Sequence, residues 1–293
     1  MKKCLMIVIF LNSVILCFSQ ADTTKYGVAV PPGFTCKFDV VYDKVGEWEG
    51  KMDLYLPPKA GKATPVAINI HGGGWARNSK EKEKGFHSFF KNNIAIANMS
   101  YRLTGTQTAP AAVQDVRSVL IYLVKNAGEL NIDTGKIIIM GASAGGHLAM
   151  MGGYLNKNIY DKDKDALRNL KVAAVINKYG VTDMVDFSVG SMNYKSAVRW
   201  LGERINDLEF IKSVSPLTYI DKNTPPTLII HGDKDDVVPY GQSLILEDAL
   251  KKNGVEYEFI TVENGKHGRF EPEKKTEISK KTIAYLIKLK IIE

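Results

Sequence analysis

Residues Lys136-Ile-Ile-Ile-Met140 run directly into Gly141-Ala142-Ser143-Ala144-Gly145-Gly146, and this junction narrows the fold more than any other part of the chain. A short β-branched run reads as a strand, and Gly-x-Ser-x-Gly behind it reads as a sharp strand-to-helix turn. Glycines two positions either side of the serine leave room for strained backbone and for close packing of the helix onto the strand. The Ser143 hydroxyl is then exposed at the apex. Such a hydroxyl is inert until a base takes its proton, so its meaning depends on whether the chain also holds a base, an acid and donors for an oxyanion.

The rest of the chain has the right rhythm. Strands are expected at 65–70, 94–99, 136–140, 172–176, 227–231 and 256–262, and helices at 80–92, 109–129, 144–155, 241–252 and 274–291. Ahead of them, 35–41 and 51–56 alternate and read as an antiparallel pair closed by Pro57-Pro58. Strands alternating with helices mean βαβ units. The expected fold is α/β, with a mostly parallel central sheet and helices on both faces. No repeat, linker or second core interrupts it, so residues 20–293 read as one domain. A small insert at about 184–215 carries Met184, Phe187, Met192, Tyr194 and Trp200. It reads as a lid or acyl pocket, or equally as core packing.

The first residues stand apart. Lys2 and Lys3 precede an apolar stretch from Cys4 to Phe18, broken by Asn12 and Ser13 and followed by small residues at Ser19 and Ala21. The stretch is short for a bilayer span and reads as a cleaved export signal, residues 1–19, with a cut after Ser19 or Ala21. An uncleaved anchor and lipid attachment at Cys17 are the rival readings, and the bulky Leu16 argues against the second. Cleavage would leave Cys36 as the one cysteine, without an internal disulfide, which points to a periplasmic or secreted bacterial protein. Net charge would fall from +7 to +5 with the loss of Lys2 and Lys3. The remaining lysines are scattered, as at Lys80, Lys82 and Lys84 or Lys162 and Lys164, and read as solvated faces; no nucleic acid partner is expected.

Three segments answer the question set by Ser143. His71-Gly72-Gly73-Gly74-Trp75 follows a strand, and the N–H groups of Gly73, Gly74 and Ala144 are candidates to hold an oxyanion, each worth about 3 kcal/mol in a transition state. His71 itself reads as a hydrogen bonder that orients the loop. His231-Gly232-Asp233-Lys234-Asp235-Asp236-Val237-Val238-Pro239 offers a carboxylate to orient an imidazole. Asp235 is the first choice, Asp236 the second, and Asp233 reads as a turn residue. Asn264-Gly265-Lys266-His267-Gly268 supplies the base, because His267 alone of the five histidines is late enough to complete the order Ser–Asp–His. No His-Glu-x-x-His, paired cysteines or Gly-x-Gly-x-x-Gly occurs, so neither a metal nor another cofactor is expected.

With Tyr101-Arg102-Leu103, Pro110-Ala111-Ala112-Val113-x-Asp115 and Tyr179-Gly180-x-x-Asp183, these motifs resemble the α/β-hydrolase superfamily from residue 35 to the C-terminus. Within it the pattern is similar to esterases with an HGGG oxyanion motif, in particular small secreted carbohydrate-active and feruloyl-esterase-like enzymes. The resemblance implies a serine esterase acting through an acyl-enzyme on small acyl or aryl esters of carbohydrates, either small molecules or polysaccharides. It implies the same roles for Ser143, Asp235, His267, Gly73, Gly74 and Ala144. The alternatives are an exopeptidase or arylformamidase of the same fold, or a non-catalytic binding module. In one departure, His267 is followed by Gly268-Arg269-Phe270 where the family more usually has Gly-Phe, which leaves Phe270 without a place.

Overall fold

The computed structural model describes residues 27–155, 159–163, 165–189 and 194–293. The expected export signal at 1–19, with Cys17, lies outside the described residues, as do Lys164 and Met192.

Among the described residues eight strands form one sheet: β1 (Thr35–Val45), β2 (Trp48–Leu56), β3 (Thr64–Ile70), β4 (Ala95–Met99), β5 (Ile132–Ala142), β6 (Ala174–Lys178), β7 (Thr227–Gly232) and β8 (Tyr257–Val262). Their order is β1-β2-β4-β3-β5-β6-β7-β8. β2 runs antiparallel to both β1 and β4, and every pairing from β4 across to β8 is parallel. The helices are α1 (His87–Lys91), α2 (Ala111–Lys125), α3 (Ala127–Leu130), α4 (Ala144–Tyr154), α5 (Met184–Ser188), α6 (Lys195–Leu201), α7 (Leu208–Ser213), α8 (Gly241–Lys252) and α9 (Pro272–Lys288).

Strand periodicity divides the core between two faces. Ile137 and Ile139 pack with Val116 and Leu120 of α2 and Leu148 of α4, and Leu246 of α8 joins the same cluster. Ile138 and Met140 point the other way, toward Phe89 and Phe90 of α1 and Tyr285 and Leu286 of α9. A strand covered on both faces has no solvent side, so β5 is apolar without interruption where it crosses the core.

Two expected helices differ from the structure. Residues 80–92 do not form one helix: a 3-10 turn spans Lys80–Lys82, and α1 begins only at His87. Lys80 is drawn inward instead, its ammonium 2.8 Å from Asp39 and from Asp53 and 3.0 Å from Glu81. Its carbonyl accepts from Asn98 Nδ2 at 2.8 Å. These tertiary bonds outweigh the local helical preference. The stretch 109–129 is split into α2 and α3 at Asn126, which caps α2 with its N–H. The described residues of the insert form α5, α6, α7 and a 3-10 turn at Gly202–Asn206, and a further 3-10 turn at Pro216–Tyr219 follows it.

The sheet also creates the place for a site. From β3 the chain moves outward to β4, then returns across β3 to β5, so the direction of winding reverses between β3 and β5. Loops leaving such neighbours diverge and open a crevice beyond their carboxyl ends. Ile70 pairs with Gly141, so the glycine loop after β3 and the turn at Ser143 start side by side.

A buried ion pair holds the approach to α2. Arg102 Nε lies 2.9 Å from Asp115 Oδ1, the Arg102 N–H donates to Asp115 Oδ2 at 2.7 Å, and Arg102 Nη2 reaches the Ala111 carbonyl at 3.0 Å. Removing the acid would strand a buried guanidinium. Asp115→Ala is expected to cost about 3–5 kcal/mol, seen as a lower midpoint in urea unfolding; a loss below about 1 kcal/mol would refute this reading of the pair.

Candidate active site

Ser143 sits at φ 58° and ψ −123°, ahead of the first turn of α4. A serine in this region is strained by about 1–3 kcal/mol and persists only where its surroundings over-determine it. Here the Ser143 N–H donates to the Lys178 carbonyl at 2.9 Å, tying the turn to the end of β6. A Cβ on Gly145 would lie 2.1 Å from the Ile70 carbonyl oxygen, and one on Gly141 would lie 2.2 Å from that of Gly145. No side chain fits at either position, so α4 seats directly on the strand ends and lifts Ser143 out.

The structure brings Ser143, His267 and Asp235 into one hydrogen-bonded line. His267 Nε2 is 2.9 Å from Ser143 Oγ, and His267 Nδ1 is 2.8 Å from Asp235 Oδ2. The three lie at or beyond the carboxyl ends of β5, β7 and β8, and His267 reaches back past the ends of β7 and β6. Close contact between loops makes this reach possible. Gly232 has no room for a Cβ, which would lie 2.1 Å from the Gly265 carbonyl oxygen, and the same carbonyl accepts from the Lys234 N–H at 3.0 Å. On its way His267 passes edge-on to Tyr179, with ring centroids 4.8 Å apart.

Asp235 is held from four directions. Its Oδ1 accepts from the N–H groups of Val237 and Val238 at 2.8 and 2.9 Å, and its Oδ2 also faces His231 Nε2 at 3.2 Å. Burial pushes this carboxyl up, yet the hydrogen bonds from His231, His267 and Val237 win and hold it well below the usual aspartate range. Asp236 instead pairs with Arg269 at 2.7 Å, in the open. Asp233 donates its N–H to the Val262 carbonyl in the turn after β7. Phe270 has a place too: its ring meets Tyr179 edge-on at 6.0 Å, and it is absent from the lining of the cavity over Ser143.

The glycine loop lies against the serine turn. Gly73 and Gly74 have φ of 120° and 58°, and a Cβ on Gly73 would lie 2.1 Å from the Arg77 carbonyl oxygen. Among the described residues, none of the N–H groups of Gly73, Gly74 and Ala144 donates to a backbone carbonyl. His71 donates from Nδ1 to the Gly72 carbonyl at 2.7 Å and stacks on Tyr101 at 4.2 Å; burial pushes its pKa down to about 4, so it stays neutral. Trp75 fixes the far end. Its indole N–H donates to His147 Nδ1 at 3.3 Å, while His147 Nε2 donates to the Val214 carbonyl at 2.8 Å. The Trp75 ring stacks on Trp200 of the insert at 4.9 Å.

Sequence reasoning assigned no such roles to Trp75, Trp200, Tyr179 or His231. Trp75 adjoins the glycines, and Tyr179 and His231 stand within the sequence motifs, whereas nothing local distinguishes Trp200 within the insert. A cavity of about 380 Å³ opens over Ser143 and His267, with Val181, Phe187, Ser196, Val238 and Glu83 in its walls. Met184 and Trp200 are buried in the core, whereas Phe187 both packs there and faces the cavity, with Tyr194 stacked on it at 4.3 Å. Among the described residues no group of three His, Cys, Asp or Glu side chains could hold a metal ion, and no helix is long and apolar enough to cross a membrane.

Comparison with known proteins agrees with this architecture. The family described as BD-FAE matches residues 52–250. Esterase LipQ of Mycobacterium tuberculosis is 25% identical over 225 residues, covering 74% of this chain and 53% of the relative. The chain spans about half the length of curated relatives such as LipQ, LipC and LipM of the same organism. A solved carbohydrate esterase from gut microbiota, in truncated form, superposes with a TM-score of 0.70 at 27% identity, covering 84% of this chain and 94% of the other. A bifunctional GH43-CE protein of Bacteroides eggerthii gives 0.74 at 28% identity, covering 87% and 38%. The chain belongs to the BD-FAE family, and its fold is that of an α/β-hydrolase.

Proposed function

We propose that this protein is a serine carboxylic-ester hydrolase acting through an acyl-enzyme on acetyl- or feruloyl-type esters of carbohydrates. One observation carries the reading: the line from Asp235 through His267 to Ser143 ends in a cavity bordered by Gly73, Gly74 and Ala144. Likeness to the gut-microbiota carbohydrate esterase supports a sugar on the alcohol side. The Lys2-Lys3 pair with the apolar run behind it supports export of the remainder, residues 20–293, as a hydrolase domain. In this reading the insert at 184–215 forms one wall of the cleft through Phe187 and Ser196.

The reaction has two halves. Ser143 Oγ attacks the ester carbonyl as His267 Nε2 takes its proton, and the charged Asp235 stabilises the imidazolium. The oxyanion is held by the N–H groups of Gly73, Gly74 and Ala144. As the tetrahedral intermediate collapses, His267 returns the proton to the leaving alcohol oxygen. Water then attacks the acyl-enzyme, gives its proton to His267, and the acid leaves as Ser143 Oγ is reprotonated.

Ser143→Ala is expected to lower turnover of 4-nitrophenyl acetate by about 10⁴-fold or more while circular dichroism and melting stay close to those of the parent. Retained turnover in a folded variant would sink the assignment. Asp235 gives a second test through linkage. Its carboxyl is held lower in the folded protein than in the unfolded chain, so its contribution to stability is present above about pH 4 and is lost as pH falls below that. Asp235→Asn should therefore unfold more easily than the parent at pH 7, with the gap narrowing as the pH drops through 4 toward 2. Urea unfolding at three pH values measures the gap; one that widens on acidification contradicts the assignment of charge to Asp235.

A further inference from the structure

A second cavity, of about 640 Å³, opens on the far side of Tyr179 from the serine. The Tyr179 ring walls both spaces. The second cavity is lined by four lysines, Lys91, Lys178, Lys275 and Lys280, and by no aspartate, glutamate or arginine. Among the described residues none of the four has an ion-pair partner. The contrast within α9 is direct, because Lys274 and Lys281 of the same helix both pair with Glu277 while Lys275 and Lys280 are left facing the cavity.

Lys178 is the most confined of the four, at the end of β6. Burial lowers its pKa from the usual lysine value, and the charge of Glu83, which lines the serine cleft, acts against that. An ammonium withdrawn from water without an ion-pair partner is unfavourable. Four cations converging on one cavity with apolar walls also raise the local concentration of anions. Phe270 supplies an aromatic ring to the lining of the same cavity.

We propose that this cavity binds a carboxylated sugar unit of the substrate, its carboxylate taken by Lys178 with Lys275 and Lys280 at the rim and its ring against Phe270. The ester-bearing neighbour in the same oligosaccharide then lies across Tyr179, over Ser143. The assignment rests on the ester-hydrolase reading for that neighbour, whereas the anion site can be tested by itself.

The test is calorimetric titration of the protein with two unesterified xylo-oligosaccharides of equal length, one carrying a single glucuronic acid and one neutral. The charged probe is expected to bind about tenfold more tightly, as for one charge-assisted hydrogen bond in a partly buried setting. That advantage should vanish in Lys178→Met and shrink in the Lys275→Gln/Lys280→Gln double variant, and Lys178→Arg should keep part of it. Should Lys178→Met not fold, the rim double variant decides. Equal affinity for the two probes overturns the proposal, as does an advantage that survives the rim variant intact, or inorganic phosphate binding as tightly as the charged probe.

Acetylated forms of the same probes separate this site from the reaction. The ratio of kcat/KM for the charged over the neutral ester should exceed one and fall toward one in the lysine variants. Hydrolysis of both at equal rates removes the site and leaves the ester-hydrolase reading standing. Uronate binding that the lysine variants lose, without hydrolysis of either ester, keeps the site and removes the carbohydrate-ester reading.

Discussion

Where α4 meets the end of β3, the carbonyls of Ile70 and His71 press so closely on Gly145 that an added Cβ would lie 2.1 and 2.6 Å from them. Much of the site's geometry follows from this contact. It leaves the residue between β5 and α4 only a tight left-handed turn, which Ser143 occupies at φ 58°. It also brings the loop after β3 against the same turn, where a Cβ on Gly72 would meet the Ala142 carbonyl at 2.9 Å. Backbone touching backbone is stiff in a way that side-chain packing is not. The strain at the serine is therefore sustained by the sheet and the helix together and does not depend on a local hydrogen bond alone.

The acid end is organised by a different means. Two imidazoles share one carboxylate: His231 arrives from the end of strand β7, and His267 from the loop beyond β8. The Val237 and Val238 N–H groups hold the other oxygen, and the Val238 carbonyl accepts from His231 Nε2 at 3.0 Å. His231 is further tied through Nδ1 to the Ser243 hydroxyl at 2.6 Å. Because β7 and its loop set the carboxylate's direction without help from His267, the later loop has only to deliver a ring to a target already fixed. Preorganisation of this kind lets a loop place an imidazole without carrying the whole burden of aiming it.

How much of this was legible in the sequence depended on whether the signal was local. Glycine spacing around Ser143 and the run from His71 to Trp75 announce tight turns, since glycine is what a turn with no room for Cβ requires. Alternation announced the first two strands and unbroken apolar runs the parallel ones, and their bounds shift by only a few residues. The preference for Asp235 over Asp236 was weakly grounded in sequence. In space it rests on an Asx-type turn in which Asp235 accepts from Val237 and Val238 while Asp236 swings out to Arg269. The failure over 80–92 has a clear cause: Lys80 is captured by acids from β1 and β2, more than twenty-five residues upstream in sequence. Window-based periodicity cannot see a partner at that separation.

The stack of Trp75 on Trp200 joins two parts of the chain that the topology keeps apart, the glycine loop after β3 and the insert between β6 and β7. His147 stands edge-on to both rings and anchors to Val214 at the insert's far end. The insert thus braces the loop and also lends Phe187 and Ser196 to the wall of the cavity over Ser143. Variation in this segment is constrained accordingly, because it has to keep an indole where Trp75 can lie on it. Transplanting a different insert onto this scaffold would succeed or fail on that one ring before any question of substrate arose.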